Sequence, residues 1–494
     1  MRKLGFDNKK YLETQSEQIE KRIGEYGGKL YLEFGGKLYD DYHASRVLPG
    51  FAPDSKMQML QKLADKVEIV IAVNATDIES NRVRGDLGIF YDNEALRMVD
   101  IFKSLGLYVG SVVITMYEPR ASVEAFKNKL EMLGMRVFRH YYISEYPFNI
   151  GKIVSAEGYG RNDYIETSHP LVVVTAPGPG SGKMAVCMSQ LYHEHARGKK
   201  AGYAKFETFP IWNLPLKHPV NLAYEAATVD LQDVNMIDPY HLEAYGKVAV
   251  NYNRDVETFP VLNAIFQKIG DGTPYRSPTD MGVNMAGYCI TDNEVVVKAA
   301  RDEIVRRYYA AACARRKGIW PESAVRKAEL VMEQALVSTR DREVVFEALD
   351  KEAITGMPAM AIQLSDGRIV RGKTSDLLGP SASALLNAAK ALAGIPKRQL
   401  IIAPSVIEPI QSLKVGTLGN RNPRLHSDET LIALAISAAT DPSARAAMDA
   451  LCELKGCEAH STVIVPQVDE EAYRRLGINL TCEPRYETNA FFHK

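Results

Sequence analysis

The sequence predicts a multidomain α/β protein whose core is a doubly wound, mostly parallel sheet, and three observations lead there. Between residues 67 and 138 apolar strand-like runs alternate with helical periods, an order that builds βαβ units. A later apolar run, Leu171–Thr175, is followed by a glycine-rich turn and then by a helical pattern over Lys183–Ala196. The chain has 494 residues, 46% hydrophobic and 24% charged, enough for about three ordinary globular domains.

Near the amino terminus, Gly27-Gly28-Lys29-Leu30-Tyr31 recurs as Gly35-Gly36-Lys37-Leu38-Tyr39, and two apolar runs parted by a glycine pair predict a β-hairpin. Residues 67–73, 111–116 and 135–138 predict strands, with helices at 93–105 and 121–133 between them. Strands joined through helices lie parallel, so the helices cover the faces of the sheet. From 293 to 352, helical periods rich in Ala, Arg and Glu break at Gly318 and restart after Trp320-Pro321, where proline suits a first helical turn. Residues 359–364, the turn Ser365-Asp366-Gly367 and residues 368–370 predict a hairpin. A helix over 381–393 ends at Gly394, a strand covers 399–403, helices start near Ser427 and Pro442, and the last strands cover 462–465 and 478–482. The predicted organisation is an α/β region at 1–290 carrying the glycine-rich loop, a helical segment at 291–354 and a smaller α/β domain at 355–494.

Composition narrows the function classes. Sixty Lys and Arg against sixty-one Asp and Glu leave a net charge of -1, which excludes a strongly basic nucleic-acid binder. The longest apolar stretches, such as 171–174 and 431–436, fall far short of the roughly 20 residues of a membrane span. Acidic Asp7, Glu13 and Glu17 stand where a secretory signal has its apolar core, and the six cysteines are scattered as reduced thiols would be. A cytoplasmic protein with a small phosphorylated ligand, no nucleic-acid or membrane partner, and a homo-oligomeric assembly as the commonest arrangement is the expectation.

The sharpest signal is Thr175-Ala176-Pro177-Gly178-Pro179-Gly180-Ser181-Gly182-Lys183-Met184. Glycines without a Cβ let backbone N–H groups converge on an anion, and the following helix adds its positive end. Gly178, Gly180, Ser181 and Gly182 would cradle a phosphate that Lys183 neutralises. Against the phosphate-loop pattern G-x-x-x-x-G-K-[ST], Pro177 replaces the first glycine and Met184 the magnesium-binding hydroxyl, for which Ser181 is the nearest substitute. The same residues read without a ligand are a tight strand-to-helix turn.

The runs LEFGGKLYDDYHASRVLPGF (32–51), VVVTAPGPGSGKMA (172–185), SPTDMGVNMAG (277–287) and GKTSDLLGPSASALLNA (372–388) resemble a bacterial family of conserved proteins of unknown function, and the resemblance covers the whole chain. Its members are sometimes labelled ATP-dependent peptidases. The residues offer no peptidase constellation. His193 and His195 are two apart and point about 200° from each other on a helix, so they do not form the i, i+4 pair of a zinc peptidase. Ser181 lacks the leading glycine of a serine hydrolase elbow, and Cys187 reads as a buried thiol. Cys452, Cys457 and His460 lack the paired short spacings of zinc modules, so no metal site is predicted.

Polar groups that would complete a phosphate site should lie at carboxyl ends of neighbouring strands. Residues 247–255 predict a strand ending in Arg254, suited to a phosphate, and Asp255, suited to a metal or to a helix cap. The loop 275–284 offers Asp280 and Asn284; Asp230, Asp233 and Asp238 precede it as loop carboxylates. Arg254, Asp255 and Asp280 are thus the candidate catalytic residues. The carboxy-terminal order of hairpin, helix, strand, helix is similar to the cytidine deaminase core, but Ser381-Ala382-Ser383 and Pro404 to Glu408 stand where zinc-binding residues would be, so hydroxyls capping a helix are expected. The loop 416–424 brings Arg421 and Arg424. The function expected is a nucleotide- or phosphometabolite-binding enzyme, with ATP or another nucleotide and Mg²⁺ as the cofactors to test; the alternatives are a non-catalytic phosphometabolite sensor or scaffold and, with least support, an ATP-dependent peptidase.

Overall fold

Apolar and β-branched runs with little alternation are stable only where both faces of a sheet are covered. Six such runs form β1 (Leu30–Phe34), β2 (Val67–Asn74), β3 (Tyr108–Tyr117), β4 (Arg136–Tyr141), β5 (Leu171–Thr175) and β6 (Gly202–Phe206). The structure, a computed structural model, describes residues 3–39, 41–84, 88–231, 233–270, 272 and 274–488. The six strands make one sheet in the order β4-β3-β2-β5-β1-β6, every pair parallel. Both faces are buried: Tyr31, Val70, Ala72, Val172, Val174 and Tyr203 pack with Val186, Cys187, Leu191 and Phe259 on one side, while Leu32, Phe34, Ile69, Ile71 and Val173 are buried on the other.

The chain divides into two compact units, one of Leu4–Glu225 with Asp233–Ala300, the other from Arg301 onward with a short stretch beginning at Ala226. In the first, helices α1 (Asn8–Glu25), α2 (Tyr91–Ser104), α3 (Ala121–Met132), α4 (Lys183–Ala196) and α5 (Asn253–Ile269) accompany the sheet, and β7 (Asn235–Ile237) pairs antiparallel with β8 (Val250–Tyr252). The division falls inside α6 (Asn293–Arg316). Beyond Gly318, α7 (Glu322–Gln334) and α8 (Glu343–Thr355) follow. The smaller sheet has β9 (Ala359–Gln363), β10 (Ile369–Lys373), β11 (Glu458–Ser461) and β12 (Asn479–Cys482) in the order β10-β9-β11-β12. Its β9–β10 and β9–β11 pairs are antiparallel and β11–β12 is parallel. Leu385 and Ala388 of α9 (Pro380–Leu392), with Leu454 and Tyr473, fill the core against Met360 and Ile362. No helix among the described residues is long and apolar enough to cross a membrane.

Several expectations are corrected. The glycine-pair repeat does not fold as a hairpin: β1 runs parallel between β5 and β6, and Leu38-Tyr39 lies outside any strand. Its sheet partners are distant in sequence, which the local glycine signal could not show. Residues 399–403 form bends rather than a strand, with Ile401 and Ile402 buried in a helical cluster, so the hairpin-helix-strand-helix order of the deaminase likeness is not met at those residues. The strand expected at 462–465 lies earlier, at β11. The serines at the start of α9 do not cap it: the cap residue is Gly379 and makes no side-chain bond, while the Ser381 and Thr374 hydroxyls are buried with no partner among the described residues.

His140 on β4 is buried, and burial pushes its pKa down to about 4 although its Nε2 lies 3.2 Å from the Asp163 carbonyl oxygen. The unfolded chain therefore binds this proton near pH 6.5 while the native state refuses it, so the stabilisation is complete above pH 6.5 and is lost as pH falls toward 4. Lowering the pH from 7 to 5 should remove about 2 kcal/mol through this group. Urea unfolding at the two pH values checks it, with a smaller drop expected for His140→Gln.

Candidate functional site

In a parallel sheet the carboxyl ends of all strands share one edge, and ligands bind where neighbouring connections leave in opposite directions. From β2 the chain goes to β3, on one side; from β5 it goes to β6, on the other. The crevice between the ends of β2 and β5 is therefore the switch point, and residues 178–183 lie there.

The loop is held from behind by its carbonyls. The Ser181 hydroxyl donates to the Gly178 carbonyl (3.0 Å), Arg82 to that of Pro179 (3.2 Å), Asn74 to that of Gly180 (3.2 Å), and Thr115 to that of Ser181 (2.9 Å). No acceptor among the described residues takes the N–H groups of Gly180, Ser181, Gly182 or Lys183. Gly180 and Gly182 have φ of 81° and 80°, the left-handed backbone that glycine adopts without strain. Gly182 is the residue before α4, and no side chain caps that helix. At Gly178 the requirement is space, since a Cβ there would lie 2.1 Å from the Tyr91 hydroxyl oxygen.

A cavity of about 270 Å³ lies at the carboxyl ends of β2 and β3, lined by Ala75, Thr76, Glu79, Met116, Glu118 and Arg120 with Tyr142. Ala75 follows the clamping Asn74 and Met116 follows the clamping Thr115. Met116 has φ of 51°, where the β3–β4 register shifts between Ile114 and Tyr117. Such irregularities at a strand end aim a side chain off the sheet and cluster at binding sites. Arg120 bridges Glu118 and Glu79, and Arg82 reaches Asp77 at 3.1 Å. The second Asp77 oxygen, Oδ2, is buried without a partner among the described residues.

A second polar cluster stands two strands away at the end of β6, about 10 Å along the same edge at ordinary strand spacing. Lys205 Nζ donates to both oxygens of Asp255 (2.6 and 2.7 Å), meets the Tyr252 hydroxyl, and lies 3.3 Å from Glu207. Tyr252 donates to Glu207 at 2.9 Å. Burial opposes the charge on Lys205, yet Asp255, Glu207 and Glu33 hold it above the usual lysine range. Burial pushes the Glu207 carboxyl up to about 7 against the pull of Lys205.

The predicted residues thus part company. Gly178, Gly180, Ser181, Gly182 and Lys183 form one loop, with the buried Ser181 hydroxyl donating to the Gly178 carbonyl. Asp255 stands in the first turn of α5 with both oxygens engaged by Lys205, so it is neither the helix cap nor an open metal ligand. Arg254 points to Asp233 (2.9 Å). Asp280 closes a capping box with Ser277, accepting from Arg276 N–H, Ser277 N–H and the Tyr245 hydroxyl. Asp238 likewise caps a helix, and Asn284 donates to the Thr208 carbonyl. Arg424 pairs with Glu487, while Arg421 is exposed. His193 is buried and His195 exposed; Cys187 is buried; Cys452 is exposed while Cys457 and His460 are buried. Among the described residues no three His, Cys, Asp or Glu side chains are grouped to share a metal ion.

Comparison with known proteins sets this geometry in a family. The family model described as "Domain of unknown function DUF1846, N-terminal" matches residues 4–336, and "Domain of unknown function DUF1846, C-terminal" matches residues 340–492. The chain belongs to this family. UPF0371 proteins of Streptococcus pyogenes serotype M5 (strain Manfredo), Streptococcus uberis and Streptococcus thermophilus are each 55% identical to it over 494 residues, 100% of both chains.

Sequence reasoning missed Asn74, Asp77, Arg82, Thr115, Lys205, Glu207 and Tyr252. Tyr203-Ala204-Lys205-Phe206-Glu207 does alternate, and that pattern was the available signal for the second cluster. Ser277-Pro278-Thr279-Asp280 also carries the spacing of a capping box. Gly178→Ala should displace Tyr91 and the Arg82 guanidinium stacked 4.9 Å over its ring. Overpacking of this kind costs about 1–3 kcal/mol. Gly180→Ala meets only Arg82 Nη1 at 3.8 Å, an ordinary contact, and carries the strain of its φ, about 1 kcal/mol. Thermal unfolding of the two variants should rank Gly178→Ala as the less stable.

Proposed function

We propose that this family member is a nucleotide- or phosphometabolite-dependent enzyme that holds a phosphate of its ligand on residues 178–183. The observation that carries the reading is the arrangement of the loop backbone: four consecutive carbonyls are tied by Ser181, Arg82, Asn74 and Thr115, and the N–H groups from Gly180 to Lys183 have no acceptor among the described residues. Free N–H groups at the start of a helix attract an anion through partial positive charge, and Lys183 adds a full one. The cavity bounded by Thr76, Met116 and Tyr142 gives the rest of the ligand a place at the carboxyl ends of β2 and β3. Asp77 Oδ2, buried and unpartnered, is the group that would face a cation accompanying a polyphosphate, since Met184 brings no hydroxyl.

A thermal-shift screen of nucleotides, sugar phosphates and inorganic anions, with and without Mg²⁺, tests the reading. A ligand at a hundred times its Kd stabilises by about 2.7 kcal/mol. Removing a charged hydrogen bond costs about 1.5–3 kcal/mol, so Lys183→Ala should weaken binding roughly ten- to a hundredfold. Wild type and variant shifting alike, or neither shifting, would remove the phosphate role. Binding by a ligand that no assay finds consumed would favour a metabolite sensor.

A further inference from the structure

The cavity at the end of β6 is small, about 40 Å³, space for about one water-sized group. Its polar wall comprises Lys205, Glu207, Asn251, Asp255, Thr279 and Asn284. Lys205 has no capacity left for an anion, because Asp255 takes it through both oxygens while Tyr252 and Glu207 complete its surroundings. One ammonium therefore faces two carboxylates, and Glu33 acts on both from β1, where it lies in register with Lys205; Arg254, 5.3 Å over the Tyr252 ring, also acts on Glu207 but is paired with Asp233. Neighbouring carboxylates that outnumber their cation retain a proton.

Glu207 is the group that retains it. Burial raises its pKa to about 7; Asp255 and Glu33 add to the rise, and Lys205 and the Tyr252 hydroxyl oppose it. Tyr203 donates to Glu33, and Tyr224 is stacked on Phe209; burial holds both phenols, like that of Tyr252, well above their ordinary range. Gly35 is needed for the arrangement, since a Cβ there would lie 2.5 Å from Glu207 Cγ.

We propose that this cavity is a proton-transfer centre in which Glu207 exchanges a proton with an uncharged oxygen or an amine of a small substrate. In the forward step the Glu207 O–H bond breaks and its proton joins a lone pair of the substrate. The carboxylate left behind is held by the Tyr252 hydroxyl and Lys205; the reverse step returns the proton. The excess of carboxylates disfavours a phosphate or carboxylate as the entering group. The assignment is independent of what the glycine loop binds.

Esterification by a small diazo reagent tests it on the full chain, because a protonated carboxyl gives its proton to the diazo carbon and the carboxylate then displaces N₂. Peptide mass mapping at pH 6 should find Glu207 modified several-fold more than the exposed Glu157, and the modification should fall away by pH 8.5. Asp255→Asn frees Lys205 for Glu207 and should lower the modification at pH 6; Asp255→Ala provides the same readout if that variant folds poorly. Methanol, which offers an uncharged oxygen lone pair, should protect Glu207 and acetate should not. A Glu207 that stays unmodified, that reacts no more than Glu157, or that is unaffected by either Asp255 change would overturn the proposal, and protection by acetate rather than methanol would overturn the substrate class.

Discussion

The all-parallel pairing of six strands determines where everything else can stand. A parallel sheet buried on both faces must send each crossover through a covering layer, so every strand reaches the same edge with its carboxyl end. β5 lies inside the sheet between β2 and β1, and its exit cannot spread sideways. The loop that follows turns within the width left by β2 and β3, whose Asn74 and Thr115 clamp its carbonyls. The backbone polarity of the loop is thus a product of the strand order as much as of its glycines.

The two polar places on this edge are built on different physics. At the glycine loop the groups without an acceptor among the described residues are main-chain N–H groups, oriented by side chains that consume the opposing carbonyls; its charged neighbours are Lys183, Arg82 and Asp77. At the end of β6 the groups are side chains withdrawn from water, and a buried ion pair is stable only when its hydrogen bonds are complete. Lys205 meets that condition through Asp255 and Tyr252. Glu207 is left as the carboxyl whose charge is least supported, and burial raises its pKa to about 7.

What was legible in the sequence was local. β5, the loop and α4 were readable to the residue because a β-branched run, glycines and a helical period follow one another without interruption. β1 was misread because Gly35-Gly36 imitates a hairpin turn, whereas its partners lie at Leu171 and Gly202, beyond any local signal. β6 escaped because a lysine in its middle argues against burial until Asp255, fifty residues on, is known to neutralise it. Asp255 was singled out for its position after an apolar run, but its partner could not be named; Asp280 was singled out for its setting, although its spacing from Ser277 marks it as a helix cap.

Hydrogen–deuterium exchange of the peptide covering residues 176–186, with and without inorganic tripolyphosphate, tests the proposed binding of an anion by the glycine-loop amides. Exchange in this peptide should slow roughly tenfold at saturation while peptides of the carboxy-terminal unit are unchanged. Binding of tripolyphosphate that leaves exchange in this peptide unaltered would contradict it.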